Sequence, residues 1–289
     1  MKNHPDSLKT LEKAVAIHKS GDLRKANVMY KEILKLHPNH PDALHLLGVI
    51  AHQEGNHEQA IHLIKKALSY NPTAAPYHYN LGEACYAKHQ PEKAASAYRQ
   101  AVHFQPSYSE AWNRLGLIEH SYRHNLETAQ NAYLKALQLN PNYTAALNNF
   151  GLLQFAKKKY GSAIRLFQKA LKLRPMYAEA SHNIAITLQH LGKMDEAAIY
   201  FQRALEITPE LPGVQRQLIR LLQNICSWTA LTKSLAKLNE TTIKSLKENK
   251  QPEESPFLHL THSFNSYTNK AIAEKWSQTL TKNPSKDKV

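Results

Sequence analysis

The stretch His57-Glu58-Gln59-Ala60-Ile61-His62 puts a glutamate beside one histidine and a second histidine five residues on. A zinc-binding helix needs its two histidines four apart, so that both project from one face toward the ion. Five is the wrong interval. His120 and His124 have the right interval, but no third ligand accompanies them. Cys85 and Cys226 lie far apart and form no Cys-x-x-Cys pair, so neither zinc nor a disulfide framework is implied. Each thiol is expected to be buried and reduced. The nine glycines make no phosphate-cradling loop and no Gly-x-Ser-x-Gly turn. Glu253 and Glu254 sit in a polar, proline-bounded stretch, a poor place for general acid–base work. The glycosylation sequons at Asn142 and Asn239 are read as chance occurrences. No catalytic residue, metal site or cofactor is expected.

One set of residues is different in kind. Leu46, Asn80, Arg114, Asn149 and Asn183 recur at intervals of 34 or 35 residues. An asparagine amide carries both a donor and an acceptor, and so can engage a peptide backbone at both of its groups. A column of such amides would hold an extended chain with little regard to its side chains, and Arg114 would add a carboxylate contact. The residues one place earlier, His45, Tyr79, Asn113, Asn148 and His182, would line the same wall. The plainer alternative is a set of solvated polar residues on an exposed helical face. Asparagine is a mediocre helix former, however, and three in one column favour the binding role.

The elements that must carry this column are visible as a repeat. Prolines fall at Pro38, Pro72, Pro106, Pro141, Pro175 and Pro209, and alanines keep the same step at Ala26, Ala60, Ala94, Ala129, Ala163 and Ala197. Four places after each alanine stands a bulky residue: Tyr30, Ile64, Tyr98, Tyr133, Phe167 or Phe201. A small residue marks a further column at Ala14, Gly48, Gly82, Gly116, Gly151 and Ala185. Apolar residues recur at helical spacing within each unit, which predicts two helices of about 13 residues per repeat. The residue before each proline avoids the helical region and closes the second helix. Gly116 and Ala129 let the two helices approach, and Tyr133 fills the space beside them. One such hairpin cannot bury its apolar face, so the units must stack.

With 37 lysines and arginines against 23 acids, the chain carries a net charge of +14. A basic surface favours acidic partners. The charge is diffuse: its longest run is Lys157-Lys158-Lys159, and nothing resembles a nucleic-acid-binding arm, so nucleic acid is the least favoured partner. The 17 histidines could make binding pH-sensitive. No apolar run is long enough to span a membrane, and the N-terminus lacks the pattern of a signal peptide, so a cytoplasmic location is expected.

Trp112, Leu115 and Gly116, followed by Ala129, Tyr133, Ala136 and Pro141, resemble the signature of the tetratricopeptide repeat. The resemblance covers residues 7–211, six repeats. It implies an all-α fold, a right-handed superhelix or α-solenoid of antiparallel helix pairs, with the Asn80, Arg114, Asn149 and Asn183 column turned into a concave groove. The first repeat has Thr10 and Ala14 in the signature columns, and the fourth has an extra residue near Arg123-His124-Asn125. Residues 212–250 are expected to form a degenerate repeat or capping helices, with a turn at Cys226-Ser227-Trp228. Residues 251–289 are expected to hold a linker, a helix near 265–281 and a mobile tail.

The order Leu221-Leu-Gln-Asn-Ile-Cys-Ser-Trp-Thr-Ala-Leu231, then Pro256-Phe257, Leu260 and Ala271-Ile-Ala273, resembles the segment between the repeats and the catalytic region of protein O-GlcNAc transferases and their SPINDLY-like relatives. Ser227 stands where that family commonly has aspartate. The resemblance implies a substrate-recognition arm without its catalytic lobes, so the chain itself is not expected to be an enzyme. The alternative is a free-standing adaptor, such as an assembly factor or bacterial effector. Either would bind extended or acidic protein segments, and a homodimer through the convex face stays open.

Overall fold

The computed structural model describes residues 5–211, 213–252, 254 and 266–282. All regular structure among them is helical. Six hairpins follow one another: α1 (Pro5–Lys19) with α2 (Leu23–Leu36), α3 (Pro41–Gln53) with α4 (His57–Tyr70), and α5 (Ala75–Ala87) with α6 (Pro91–Phe104). Then come α7 (Ser109–Ser121) with α8 (Leu126–Leu139), α9 (Thr144–Ala156) with α10 (Tyr160–Leu173), and α11 (Ala178–His190) with α12 (Met194–Ile207). After these lie α13 (Val214–Asn224), α14 (Trp228–Lys247) and α15 (Ser266–Lys282).

Local chemistry sets the starts of the second helices. Asp22, Asn56 and Asn125 each accept a hydrogen bond from the backbone N–H three residues on, capping α2, α4 and α8. Pro91 occupies the first turn of α6, where its missing N–H costs nothing. The turn before each second helix requires one left-handed residue. Gly21, Gly55 and Gly192 supply it in three hairpins, and His89, His124 and Lys158 adopt φ of 55°, 52° and 58° in the other three. Cys226, at φ 55°, holds the same place between α13 and α14, 34 residues after Gly192. The turn pattern thus recurs in a seventh hairpin. This corrects the expectation for that thiol: Cys226 is exposed because it sits at a turn, whereas Cys85 is buried.

The alanine column from Ala26 to Ala197 is fully buried, as is the bulky column from Tyr30 to Phe201. The reason for the small residues is plain at Gly82, where an added Cβ would lie 2.5 Å from Tyr98 Cε1. At Gly116 the same atom would meet the Tyr133 ring at 2.7 Å. The rings lie directly on the first helices.

The chain divides within α9 into two compact units, Met1–Leu153 and Gln154–Val289. In the first, helices α1 to α8 each pack on the next, and the first helices α3 and α5 also touch directly. In the second, α10 to α14 pack in the same sequential way. There Glu254, in the stretch expected to be a linker, is buried: its carboxylate accepts from the Thr242 hydroxyl at 2.8 Å, and its carbonyl oxygen accepts from Trp276 Nε1 of α15. The Trp228 side chain, Pro256, Phe257, Leu260 and the tail after Lys282 lie outside the described residues.

Candidate functional site

The residues of the recurring column belong to first helices, one per repeat, and most of them sit in the first unit. There the column is knitted from repeat to repeat. Asn80 Nδ2 meets His45 Nε2 at 2.8 Å, and Asn149 Nδ2 donates to Asn113 Oδ1 at 3.0 Å. Asn80 and Asn149 therefore each reach back to the neighbouring position of the preceding repeat. An amide nitrogen can only donate, so His45 Nε2 accepts and its proton is on Nδ1. Burial pushes the His45 pKa down to about 4, which keeps the ring neutral near pH 7 against the upward pull of Asp42. The imidazole stacks on Tyr77, with centroids 4.2 Å apart, and the Tyr77 hydroxyl donates to Asp42.

Arg114 occupies the column between the two asparagine pairs. Its guanidinium donates to Glu83 at 2.7 Å, and the same carboxylate accepts from the buried Tyr98 hydroxyl. Burial opposes the Arg114 charge, but Glu83 and the Tyr79 hydroxyl hold it firmly protonated. Arg114 also stands 6.0 Å over the Tyr86 ring. The sequence assigned Arg114 to a partner's carboxylate; in the structure Glu83 holds it. Tyr79 is half-buried and packs against Tyr108 at 5.1 Å, while Tyr143 hydrogen-bonds Asn113. Asn113 and Asn148 are themselves buried.

His182 and Asn183 belong to the second unit. His182 pairs with Gln217 at 2.8 Å, continuing the repeat-to-repeat link there. A cavity of about 510 Å³ in this unit, bounded by Glu210, Gln215, Lys237, Thr241 and Lys244 among others, holds none of the column residues. Of the histidines considered for metal binding, His57 faces His52, with Nδ1 atoms 3.0 Å apart, and not His62. No group of three metal-ligating side chains converges among the described residues. No described helix is long and apolar enough to cross a membrane.

Sequence reading missed Asp42, Glu83 and Tyr108. Asp42 and Glu110 share a column with Glu179, and Tyr108 shares one with Tyr143 and Tyr177, at the interval of the repeat or twice it. The signal was present in columns about one helical turn or more before the asparagine column. Glu83 has no such periodic signal, since Val49, Leu117 and Leu152 stand at its place in other repeats.

Residues 29–62, 51–116, 118–175 and 148–212 match models of the tetratricopeptide repeat. Among solved structures, PilW, a type IV pilus biogenesis factor, is similar with a TM-score of 0.67 at 18% identity, over 75% of this chain and 100% of that one. PilF of Pseudomonas aeruginosa gives 0.65 at 20% identity, over 73% and 95%. YrrB, described as a repeat protein with an unusual peptide-binding site, gives 0.52 at 19% identity, over 63% and 93%. No curated protein matches the chain. The glycosyltransferase resemblance of residues 224–273 has no counterpart among these matches.

Proposed function

Because the chain belongs to the tetratricopeptide repeat family, we propose that it is a protein-interaction module that holds an extended polypeptide segment against its first helices. The observation carrying this reading is the knitted column: Asn80 and Asn149 are each fixed by one amide hydrogen bond. Each keeps its carbonyl oxygen and a second N–H for a backbone. Side chains held this way lose little freedom on binding, so their contacts are retained as affinity. His45, Tyr79, Asn113, Arg114 and Asn148 shape the wall around them, and His182 and Asn183 play the same part in the second unit. The role is binding, not catalysis.

The narrower reading, a recognition arm for a protein O-GlcNAc transferase, is supported by the resemblance of residues 224–273 alone. The adaptor reading has likeness of fold to assembly factors such as PilW on its side. We favour the adaptor, since a seventh hairpin accounts for the Cys226 turn and the helices on either side of it without a transferase.

Leu46 occupies the column in one repeat, so leucine is compatible with its packing. Asn80→Leu with Asn149→Leu should weaken binding of an extended peptide about 10-fold, two hydrogen bonds of about 1 kcal/mol each being partly lost. Fluorescence anisotropy checks this, with thermal unfolding as the control for folding. Unchanged affinity in a folded double variant would remove the column from the site.

A further inference from the structure

The positive charge of the molecule is not shared by the helices that bear the column. In the first unit, α3, α5, α7 and α9 contain no lysine and one arginine, Arg114, against four carboxylates, Asp42, Glu83, Glu110 and Glu119, a net of −3. The second helices α2, α4, α6 and α8 carry nine lysines and arginines against four glutamates, a net of +5. The two helices differ in sign in the hairpins α3–α4 and α5–α6; in α7–α8 the first helix is negative and the second neutral, and in α1–α2 both are positive.

The partners of the four carboxylates decide which of them can act on a ligand. Glu119 is buried and paired with Arg99 and Arg123. Glu83 is neutralised by Arg114. Asp42 and Glu110 are exposed, and neither has a cation within ion-pair distance among the described residues; their contacts are the hydroxyls of Tyr77 and Ser109. Asp42 precedes His45 by three residues and Glu110 precedes Asn113 by three, a spacing that places each carboxylate on the same helical face as a wall residue. Glu110 also acts on Tyr108 and Tyr143, raising the pKa of both hydroxyls after burial has done so. Tyr79 and Tyr108 lie together in this stretch of wall.

We propose that the face of the first unit takes an extended cationic segment of a partner protein, whose lysine or arginine side chains reach Asp42 and Glu110 and lie along the Tyr79–Tyr108 pair. The proposal rests on the binding reading above and specifies its ligand. Carboxylates supply charge-assisted hydrogen bonds to ammonium or guanidinium groups, and tyrosine faces attract the same cations. Acidic segments, which the net charge of +14 would attract, are directed to the opposite, second-helix side. A cationic ligand is repelled by the molecule at long range, so its capture identifies a local site.

Three fluorescent peptides of equal length test this, built on one alanine–serine backbone with interspersed lysines, glutamines or glutamates. The intact chain should bind the lysine peptide about 10-fold more tightly than the glutamate peptide. Asp42→Asn with Glu110→Gln retains the acceptors for Tyr77 and Ser109 and should cost the lysine peptide about 5- to 10-fold, while leaving the glutamine peptide unchanged. Asn80→Leu with Asn149→Leu should weaken the lysine and glutamine peptides alike. Preference for the glutamate peptide, or equal affinity for all three, with sensitivity to the asparagine variant would overturn the cationic assignment and leave the groove. Binding of every peptide indifferent to the asparagine variant would remove the groove, and the cationic assignment with it.

Discussion

Tyr98 and Tyr133 fill the same column of the repeat, yet their hydroxyls have different fates. Tyr98 donates to Glu83, whereas the buried Tyr133 hydroxyl has no hydrogen-bond partner among the described residues. An unpartnered buried hydroxyl costs stability, and phenylalanine already occupies this column at Phe167 and Phe201. Tyr133→Phe should therefore be neutral or stabilising by up to about 1 kcal/mol, and Tyr98→Phe destabilising by about 1–2 kcal/mol, in urea unfolding. His45 gives a second prediction at this scale. Its pKa of about 4 in the folded chain lies below the ordinary 6.5, so the unfolded chain takes up a proton that the folded one refuses. Its contribution to stability is complete above pH 6.5 and is lost as pH falls from there toward 4. The loss should be on the order of 2–3 kcal/mol, read as a drop in urea midpoint between pH 7.5 and 4.5. His45→Asn, which installs the residue found at positions 113 and 148, should remove this part of the pH dependence.

At the scale of the element, the hairpin turn carries a cost that the sequence can relieve. Lys158 adopts φ of 58°, where Gly21, Gly55 and Gly192 serve in other repeats. A left-handed conformation costs a residue with Cβ about 1–2 kcal/mol, part of which glycine returns as unfolded-state entropy. Lys158→Gly should raise stability by about 0.5–1 kcal/mol and the Tm by about 2–4 °C in a thermal melt. Such elements were largely legible beforehand. The proline, alanine and small-residue columns placed the helix pairs, because burial and close approach impose a residue type at every period. Partners across repeats were not legible. Whether Arg114 meets Glu83 or a ligand depends on the angle between successive hairpins, and a sequence period does not contain that angle. The exposure of Cys226 was missed for a different reason: the turn column was masked by its mixture of glycine, histidine, lysine and cysteine.

At the scale of the whole molecule, the chain divides into two compact units, and within them α1 to α8 in the first and α10 to α14 in the second contact their sequence neighbours. Stability in such an array is a sum of repeat and interface contributions, so unfolding need not be all-or-none. With Trp228 and Trp276 replaced by phenylalanine, Trp112 would report on the first unit alone. Its fluorescence midpoint in guanidinium should differ from the midpoint of helix loss by circular dichroism; coincident curves would mean a single cooperative block. The links that knit the column close over intervals of 31 to 36 residues, from Glu83–Arg114 to Asn113–Asn149. A ribosome adding about 5–20 residues per second completes such an interval in a few seconds. Each hairpin can then lock onto its predecessor during synthesis, before the next has emerged. The nascent chain would expose one unfinished apolar face at a time, and a polymerising front of that kind gives aggregation little surface on which to start.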